Sequence, residues 1–278
     1  MDKFLIIDAN SIINRAFYAI RPLTNKNGLN TNGIFGFLNI LLKETGEEKP
    51  KYIACAFDVS RHTFRTDIYG EYKGTRRETP AELKEQFEPL KKVLKAMNIA
   101  VLELNNYEAD DIIGTVSKKC SENKIACDIL TGDKDDLQLI DDFVNVKLII
   151  TKAGKTDTTR MDEAALFEKY GLKPFQMIEL KALMGDKSDN IPGVRGIGEV
   201  TGINLIKEYS TLDGVYENIE SIKPSVQKKL IEDKENAYLS KTIGTIKRDA
   251  PIDFEIKDCE MTDYNSAELF SILTELEF

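Results

Sequence analysis

The sequence predicts an α/β fold with a mainly parallel sheet, followed by a smaller helical module. Three observations carry this. Short apolar runs alternate with helix-period segments through roughly the first 150 residues. Three of those runs carry an aspartate just past their end, Asp8, Asp58 and Asp133, where open α/β sheets place their sites. After about residue 160 the pattern turns helical.

The elements follow in order. Phe4 to Ile7 reads as a buried strand ending at Asp8, and a helix follows over about 11–20. TNGIFGFLNILLKE, from Thr31, reads as a second helix, and KYIACAFD (51–58) as a second strand. Residues 61–79 are polar and basic. A helix is expected over 80–97, with Pro80 in its first turn, where a missing N–H costs nothing. Strand IAVLEL (99–104), a helix over 108–122, strand IACDILT (125–131) and strand VNVKLII (144–150) complete the first part. Helices are then expected near 161–170, 174–184, 198–208, 212–219 and 223–246. This divides the chain into an α/β domain (1–160), a helical module (161–250) and a C-terminal segment (251–278).

With 278 residues, 42% of them hydrophobic and 31% charged, the chain can bury a sizeable core. A net charge of -9 argues against a generic polyanion binder, but not against local basic patches or a metal-neutralised acidic site. Four cysteines without a C-x-x-C and a single histidine, His62, argue against zinc. The thiols read as buried and free, which suits a reducing cytoplasm. No apolar run approaches the roughly 20 residues of a membrane span.

Acids leave apolar elements in several places. YEADDIIGTV carries Glu108, Asp110 and Asp111 at a helix start. TGDKDDLQL carries Asp133, Asp135 and Asp136 after a strand, and MGDKSDN carries Asp186 and Asp189. Taken singly, each also reads as a helix cap or turn former, and Asp136 as solvated surface. Taken together with Asp8 and Asp58, they suit magnesium or manganese, since oxygen donors dominate and histidine is almost absent. Two such ions about 4 Å apart can clamp the attacking and leaving oxygens of a phosphodiester. GVRGIGEVTGINLIKEY has a glycine turn entering a helix, the pattern of a helix-hairpin-helix that grips a backbone phosphate, or else a plain capping loop. RHTFRTDIYGEYKGTRR (61–77) interleaves five Lys/Arg with Phe64, Tyr69 and Tyr72, as single-stranded nucleic acid requires, though such a run alone also suits a solvated surface. Arg15 could reach a phosphate or form a surface salt bridge, and His62 reads as exposed.

On FLIIDANSIINRAFYA, TNGIFGFLNILL, AFDVSRHTFRTDIYGEYKGTRR, YEADDIIGT, LTGDKDDLQL and LMGDKSDNIPGVRGIGEVT, in order along nearly the whole chain, the sequence resembles the 5′-nuclease domains of bacterial DNA polymerase I, within the flap endonuclease family. The resemblance implies a PIN-like three-layer α/β/α core, a helical arch and a C-terminal helix-hairpin-helix module. It implies two or three Mg2+ or Mn2+ ions on Asp8, Asp58, Glu108, Asp110, Asp111, Asp133, Asp135, Asp186 and Asp189, and K+ at the helix-hairpin-helix turn. Asp111 and Asp133, with Lys73 and Arg76, are the expected catalytic set. Arg15, Phe64, Arg65, Tyr72, Lys73, Arg76, Gly193, Gly196 and Gly198 are expected to bind DNA. The implied activity is structure-specific 5′-3′ exonuclease and flap endonuclease cleavage of 5′ flaps, nicked or branched duplexes and RNA–DNA primer junctions. The implied setting is a cytoplasmic, nucleoid-associated monomer, with LFSILTELEF leading toward a polymerase portion. Two rivals stand beside this. One is a non-catalytic DNA-structure-binding module. The other is an aspartyl-nucleophile phosphatase, disfavoured because Asn10 stands where that class needs a second acid. Where the family's turn commonly continues Gly-Glu-Lys-Thr-Ala, this chain has Gly198-Glu199-Val200-Thr201-Gly202, and Asp136 stands where an apolar residue is more usual.

Overall fold

The computed structural model describes residues 2–152 and 155–278. The chain runs β1 Lys3–Asp8, α1 Ala9–Ala19, α2 Asn32–Glu48, β2 Tyr52–Phe57, α3 Phe64–Ile68, α4 Ala81–Ala96, β3 Ala100–Glu103, α5 Ala109–Glu122, β4 Ala126–Thr131, β5 Val144–Lys152 and β6 Lys155–Met161. Helices α6 Glu163–Tyr170, α7 Gln176–Met184, α8 Glu199–Tyr209, α9 Leu212–Glu217, α10 Pro224–Glu232, α11 Lys234–Gly244 and α12 Ser266–Leu276 follow. The sheet has the order β3-β2-β1-β4-β5-β6. All neighbours pair parallel except β5 and β6, which form an antiparallel edge. The expected mainly parallel sheet is therefore present. Strand β6 was not expected, because KTDTTRM is a polar edge strand without an apolar run.

Period-two alternation explains the layers. On β1, Phe4 and Ile6 enter the core on the α5 side, while Leu5 and Ile7 enter the core built with α1, α2 and α4. Both faces of the sheet are thus covered, as a parallel sheet requires. The helical module has its own core of Leu180, Leu183, Leu205, Ile206, Leu212, Leu230 and neighbours. The C-terminal segment does not stand apart. Phe254 and Cys259 pack in the α5-side core, and Leu276 of α12 is buried in the other.

One expected helix is broken. Residues 223–246 form α10 and α11, separated at Asp233. The Asp233 carboxylate is drawn aside to accept from the Arg195 backbone N–H (2.9 Å) and from its Nε (3.0 Å), which trades helix continuity for a tie to the glycine turn. Gly202 also has a tertiary reason. A Cβ there would lie 2.7 Å from Leu180 Cδ1, so the glycine lets α8 sit close on α7 and its low helix propensity is the lesser effect.

Candidate active site

The strand order reverses direction at β1, with β2 and β3 on one side and β4 and β5 on the other. Open α/β sheets bind ligands at the carboxyl ends of strands beside such a switch point. Asp8 ends β1, Asp58 follows β2, and Thr131 ends β4 with Asp133 just beyond. A cleft of about 1220 Å³ opens there. Asp8, Asp58, Glu108, Asp110 and Asp133 contribute acids to it, and Arg15, Arg61, Lys73, Arg76, Arg77 and Lys84 contribute cations. The segment between β2 and α4 forms one wall through its turn at 70–74 and its basic stretch. Tyr18, Tyr72 and Phe87 add aromatic surface.

Six carboxylates gather into two groups of three. Asp8, Asp110 and Asp136 have carboxylate oxygens within 4.8 Å of one another, and so do Asp135, Asp186 and Asp189. The donor set is oxygen only, with no histidine or thiol, which fits hard divalent cations.

The two groups differ electrostatically. In the second, Lys181 pairs with Asp135 and with Asp186 (3.0 Å), and Arg76 pairs with Asp189. Burial pushes Asp186 up, but Lys181 and the Ser188 hydroxyl outweigh it and hold its carboxyl below the ordinary range. Lys181 gave no signal in the sequence, since only the fold brings the inward face of α7 onto these acids. In the first group no cation pairs with any carboxylate among the described residues. Loss of water raises Asp8 to about 7, with Asp58 and Asp133 adding repulsion, against hydrogen bonds from Ser11 N (3.0 Å) and Thr131 Oγ1 (2.9 Å). Burial first, and Asp136 and Asp8 next, push Asp110 upward as well.

These shifts set a pH dependence. Asp8 is held at about 7 and Asp135 at about 6, against 3.8 when unfolded. Between about pH 4 and 7 the folded chain holds protons that the unfolded chain has released, so stability falls as pH rises through that window. Thermal melts in EDTA should therefore drop from pH 5 to pH 8. A divalent cation should restore the loss, and more strongly at the higher pH.

The remaining predicted residues are placed as follows. Asp58 Oδ1 accepts from Ala109 N at the start of α5 (2.7 Å) and stays open to the cleft. Asp133 lines the cleft and accepts from Asp135 N (3.0 Å). Glu108 accepts from Lys73 Nζ (2.9 Å) and Tyr72 Oη (3.1 Å), so both its oxygens are engaged, outside either acidic group. Lys73 holds this position with a left-handed backbone, φ 54°, a conformation that costs a non-glycine residue about 1–2 kcal/mol. Arg15 lines the cleft over Gly132.

Four placements correct expectation. Arg65, expected to bind DNA, is 2% exposed and directs its donors inside the protein, to Asp111 Oδ2 (2.6 Å), Asp111 Oδ1 (2.7 Å), Ile243 O (2.7 Å) and Thr245 O (3.0 Å). Asp111, 0% exposed, also accepts from Glu108 N (3.1 Å) and Lys247 N (2.8 Å), which fills its lone pairs and leaves none directed at a metal. The Tyr72 ring is buried on Ile191 and Ile243 and its hydroxyl donates to Glu108, which leaves little of it exposed at the cleft. Phe64 meets Tyr107 in a tilted ring contact (centroids 5.5 Å apart) and is not among the residues lining the cleft.

At the glycine turn, Gly193 (φ 58°) is buried and its N–H donates to Ser240 Oγ (2.8 Å). A Cβ there would lie 2.2 Å from Gly185 N, so this glycine serves close packing of the turn, not a phosphate. Gly196 and Gly198 are exposed, and Gly198 caps the start of α8. Their N–H groups have no partner among the described residues. Val200, in the first turn of α8, is 76% exposed.

Comparison with known proteins gives the same frame. A family model described as 5′-3′ exonuclease, N-terminal resolvase-like domain, matches residues 3–171, and one described as 5′-3′ exonuclease, C-terminal SAM fold, matches 172–267. DNA polymerase I of Caldicellulosiruptor bescii is 42% identical over 276 residues, covering 99% of this chain and 32% of that protein. DNA polymerase I of Bacillus subtilis is 41% identical over 277 residues, covering 99% and 31%. The chain thus spans about a third of the length of these relatives. Among solved structures, T5 5′-exonuclease with bound divalent metal ions (zinc) aligns with a TM-score of 0.70 at 22% identity, over 87% of this chain and 89% of that one. The catalytic core of Rad2 in complex with a DNA substrate aligns at 0.64 and 19%, over 100% and 89%. At these identities the structures show a shared fold, while the two consecutive models account for almost every residue, and the chain belongs to the 5′-3′ exonuclease family.

Proposed function

We propose that the chain is a structure-specific 5′ nuclease, acting as 5′-3′ exonuclease and flap endonuclease on 5′ flaps, nicked or branched duplexes and RNA–DNA primer junctions. The observation that carries this is the acid-floored cleft with a basic, aromatic rim at the sheet's switch point. Its setting would be replication and repair in the bacterial cytoplasm, as a monomer, with a polymerase portion in the same polypeptide.

Asp8, Asp110, Asp135, Asp186 and Asp189, with Asp58 and Asp133 at the cleft, would hold Mg2+ or Mn2+. Bound there, such ions supply an activated water and charge neutralisation at the leaving 3′-oxygen. The chain's own residues do the rest. Lys73 and Arg76, at the cleft wall, neutralise the scissile phosphate. Arg15, Arg61, Arg77 and Lys84 draw in the 5′ strand, and Tyr18 and Phe87 offer flat apolar surface for unpaired bases. Asp111 and Arg65 act as positioning residues, clamping the start of α5 so that Asp110 faces Asp8. Gly196 and Gly198 present N–H groups to a duplex phosphate, and a K+ ion at the same turn would have to displace Lys229 Nζ from Gly196 O (3.0 Å).

A duplex with a labelled 5′ flap, incubated with Mg2+, Mn2+ or EDTA and resolved by length, tests the proposal. Metal-dependent release of a flap-length product is expected. Binding without cleavage in every metal would instead favour the non-catalytic module. Val200 bears on duplex affinity separately. Val200→Lys places a cation at the exposed start of α8 and should tighten nicked-duplex binding several-fold at low salt, raising the salt slope by about one. A filter-binding series against KCl concentration measures it.

A further inference from the structure

Asp136 reads as solvated surface in the sequence, and the structure buries it completely, at 0% exposure. It lies in the 3₁₀ turn Asp135–Leu139, directly after β4 and its aspartate Asp133. Neither of its carboxylate oxygens has a hydrogen-bond partner. The nearby Thr131 hydroxyl has one proton and gives it to Asp8 Oδ2 (2.9 Å). A buried carboxylate left this way costs several kcal/mol unless something compensates it. Leu137 and Leu139, its neighbours in the turn, are core residues, so the site had an apolar alternative available.

What Asp136 faces is Asp8 and Asp110, with the oxygens of all three within 4.8 Å of one another. Oxygens at about 2.1 Å from an octahedral cation stand about 3.0 Å apart when adjacent and about 4.2 Å when opposite. With its oxygens within 4.8 Å of one another the trio needs only a small inward shift to reach that spacing, and it has an oxygen-only donor set and, among the described residues, no paired cation of its own. Asp135, the preceding residue, belongs instead to the group with Asp186 and Asp189. Successive side chains of a 3₁₀ turn diverge by about a third of a revolution, so one turn sends a carboxylate to each group.

Resting on the metal-dependent reading above, we infer that Asp136 is a ligand of a divalent cation held with Asp8 and Asp110, and that this is the tighter of two cation sites. The second group already has Lys181 and Arg76 paired to its acids, and an incoming cation must displace or share them. The first group has no such competitor among the described residues. The turn at Asp135 and Asp136 then fixes the separation of the two sites through a single rigid backbone segment.

Mn2+ titration calorimetry on the DNA-free protein tests this, with Asp136→Leu and the near-isosteric Asp136→Asn beside the wild type. Two classes of site are expected in the wild type. Both variants should weaken the tight class about 10-fold or more and leave the weak class unchanged. In EDTA, Asp136→Leu should melt higher than wild type, because the uncompensated acid is gone, and should gain less from added Mn2+. Asp136→Asn keeps the volume, so it reports on binding even if leucine distorts the turn. An unaltered tight class in Asp136→Asn would overturn the inference, leaving Asp136 a buried acid that meets no metal, as would equal weakening of both classes. A wild-type chain that binds no Mn2+ at all would fail the nuclease proposal itself, which separates the two failures.

Discussion

Asp8→Asn should abolish flap cleavage, by on the order of 10²–10³-fold or more in single-turnover rate, while making the metal-free protein more stable. The two effects have one origin. Asp8 ends β1 at the switch point, and its carboxyl is raised to about 7 by burial and by neighbouring acids. Asparagine keeps the shape and can still cap α1 through Ser11 N, a bond the aspartate makes at 3.0 Å. What it removes is one negative charge from a site with too many. Melting in EDTA at about pH 8 should therefore rise, and a quenched-flow cleavage assay should show product formation collapse. A merely structural aspartate would behave the other way, losing stability and sparing the residual rate. Retained cleavage in this variant would take the metal centre away from the Asp8 group.

The second large effect is on stability. Arg65→Met or Asp111→Leu should each cost about 3–5 kcal/mol, because each leaves the other buried charge without its counter-ion. For a chain of this size that corresponds to a fall of about 10 °C in melting temperature. The pair is bidentate, and Arg65 also ties Ile243 and Thr245 at the end of α11 to the wall of the cleft. Its loss therefore loosens the helical module against the α/β domain, beyond the local cost. The double variant Arg65→Met/Asp111→Leu should recover part of the stability, since a buried ion pair can be replaced by apolar volume far more cheaply than it can be broken. Urea denaturation of the four proteins gives the coupling directly. A cost below about 1 kcal/mol in both single variants would return Asp111 to the metal ligands and Arg65 to the DNA.

Much of this molecule is legible in its sequence. Strand β1 reads from four apolar residues followed by an acid, and its two-faced burial follows from the strand period. The acids at strand ends and at the start of α5 announce a cluster that needs positive charge, because carboxylates on apolar elements need compensation wherever they land. The glycine turn and the stretch 61–77 are visible as composition. Less is legible where polarity hides structure. Strand β6 is a polar edge, and the break at Asp233 coincides with a contact to Arg195, which reaches it from another element.

What the sequence alone determined is the alternation of elements, the α/β class and the presence of an oxygen-rich acidic site, since these depend on local period and residue chemistry. The tertiary structure alone decided how the nine candidate acids and Asp136 divide. It sent Asp111 to Arg65 and Glu108 to Lys73, supplied Lys181 to the second group, and turned Asp136 inward to Asp8 and Asp110. The physical reason is that a carboxylate's role depends on which donors and charges meet it. Those partners come from strands and helices far apart in the chain, brought together by burial of the apolar faces and not by any local signal.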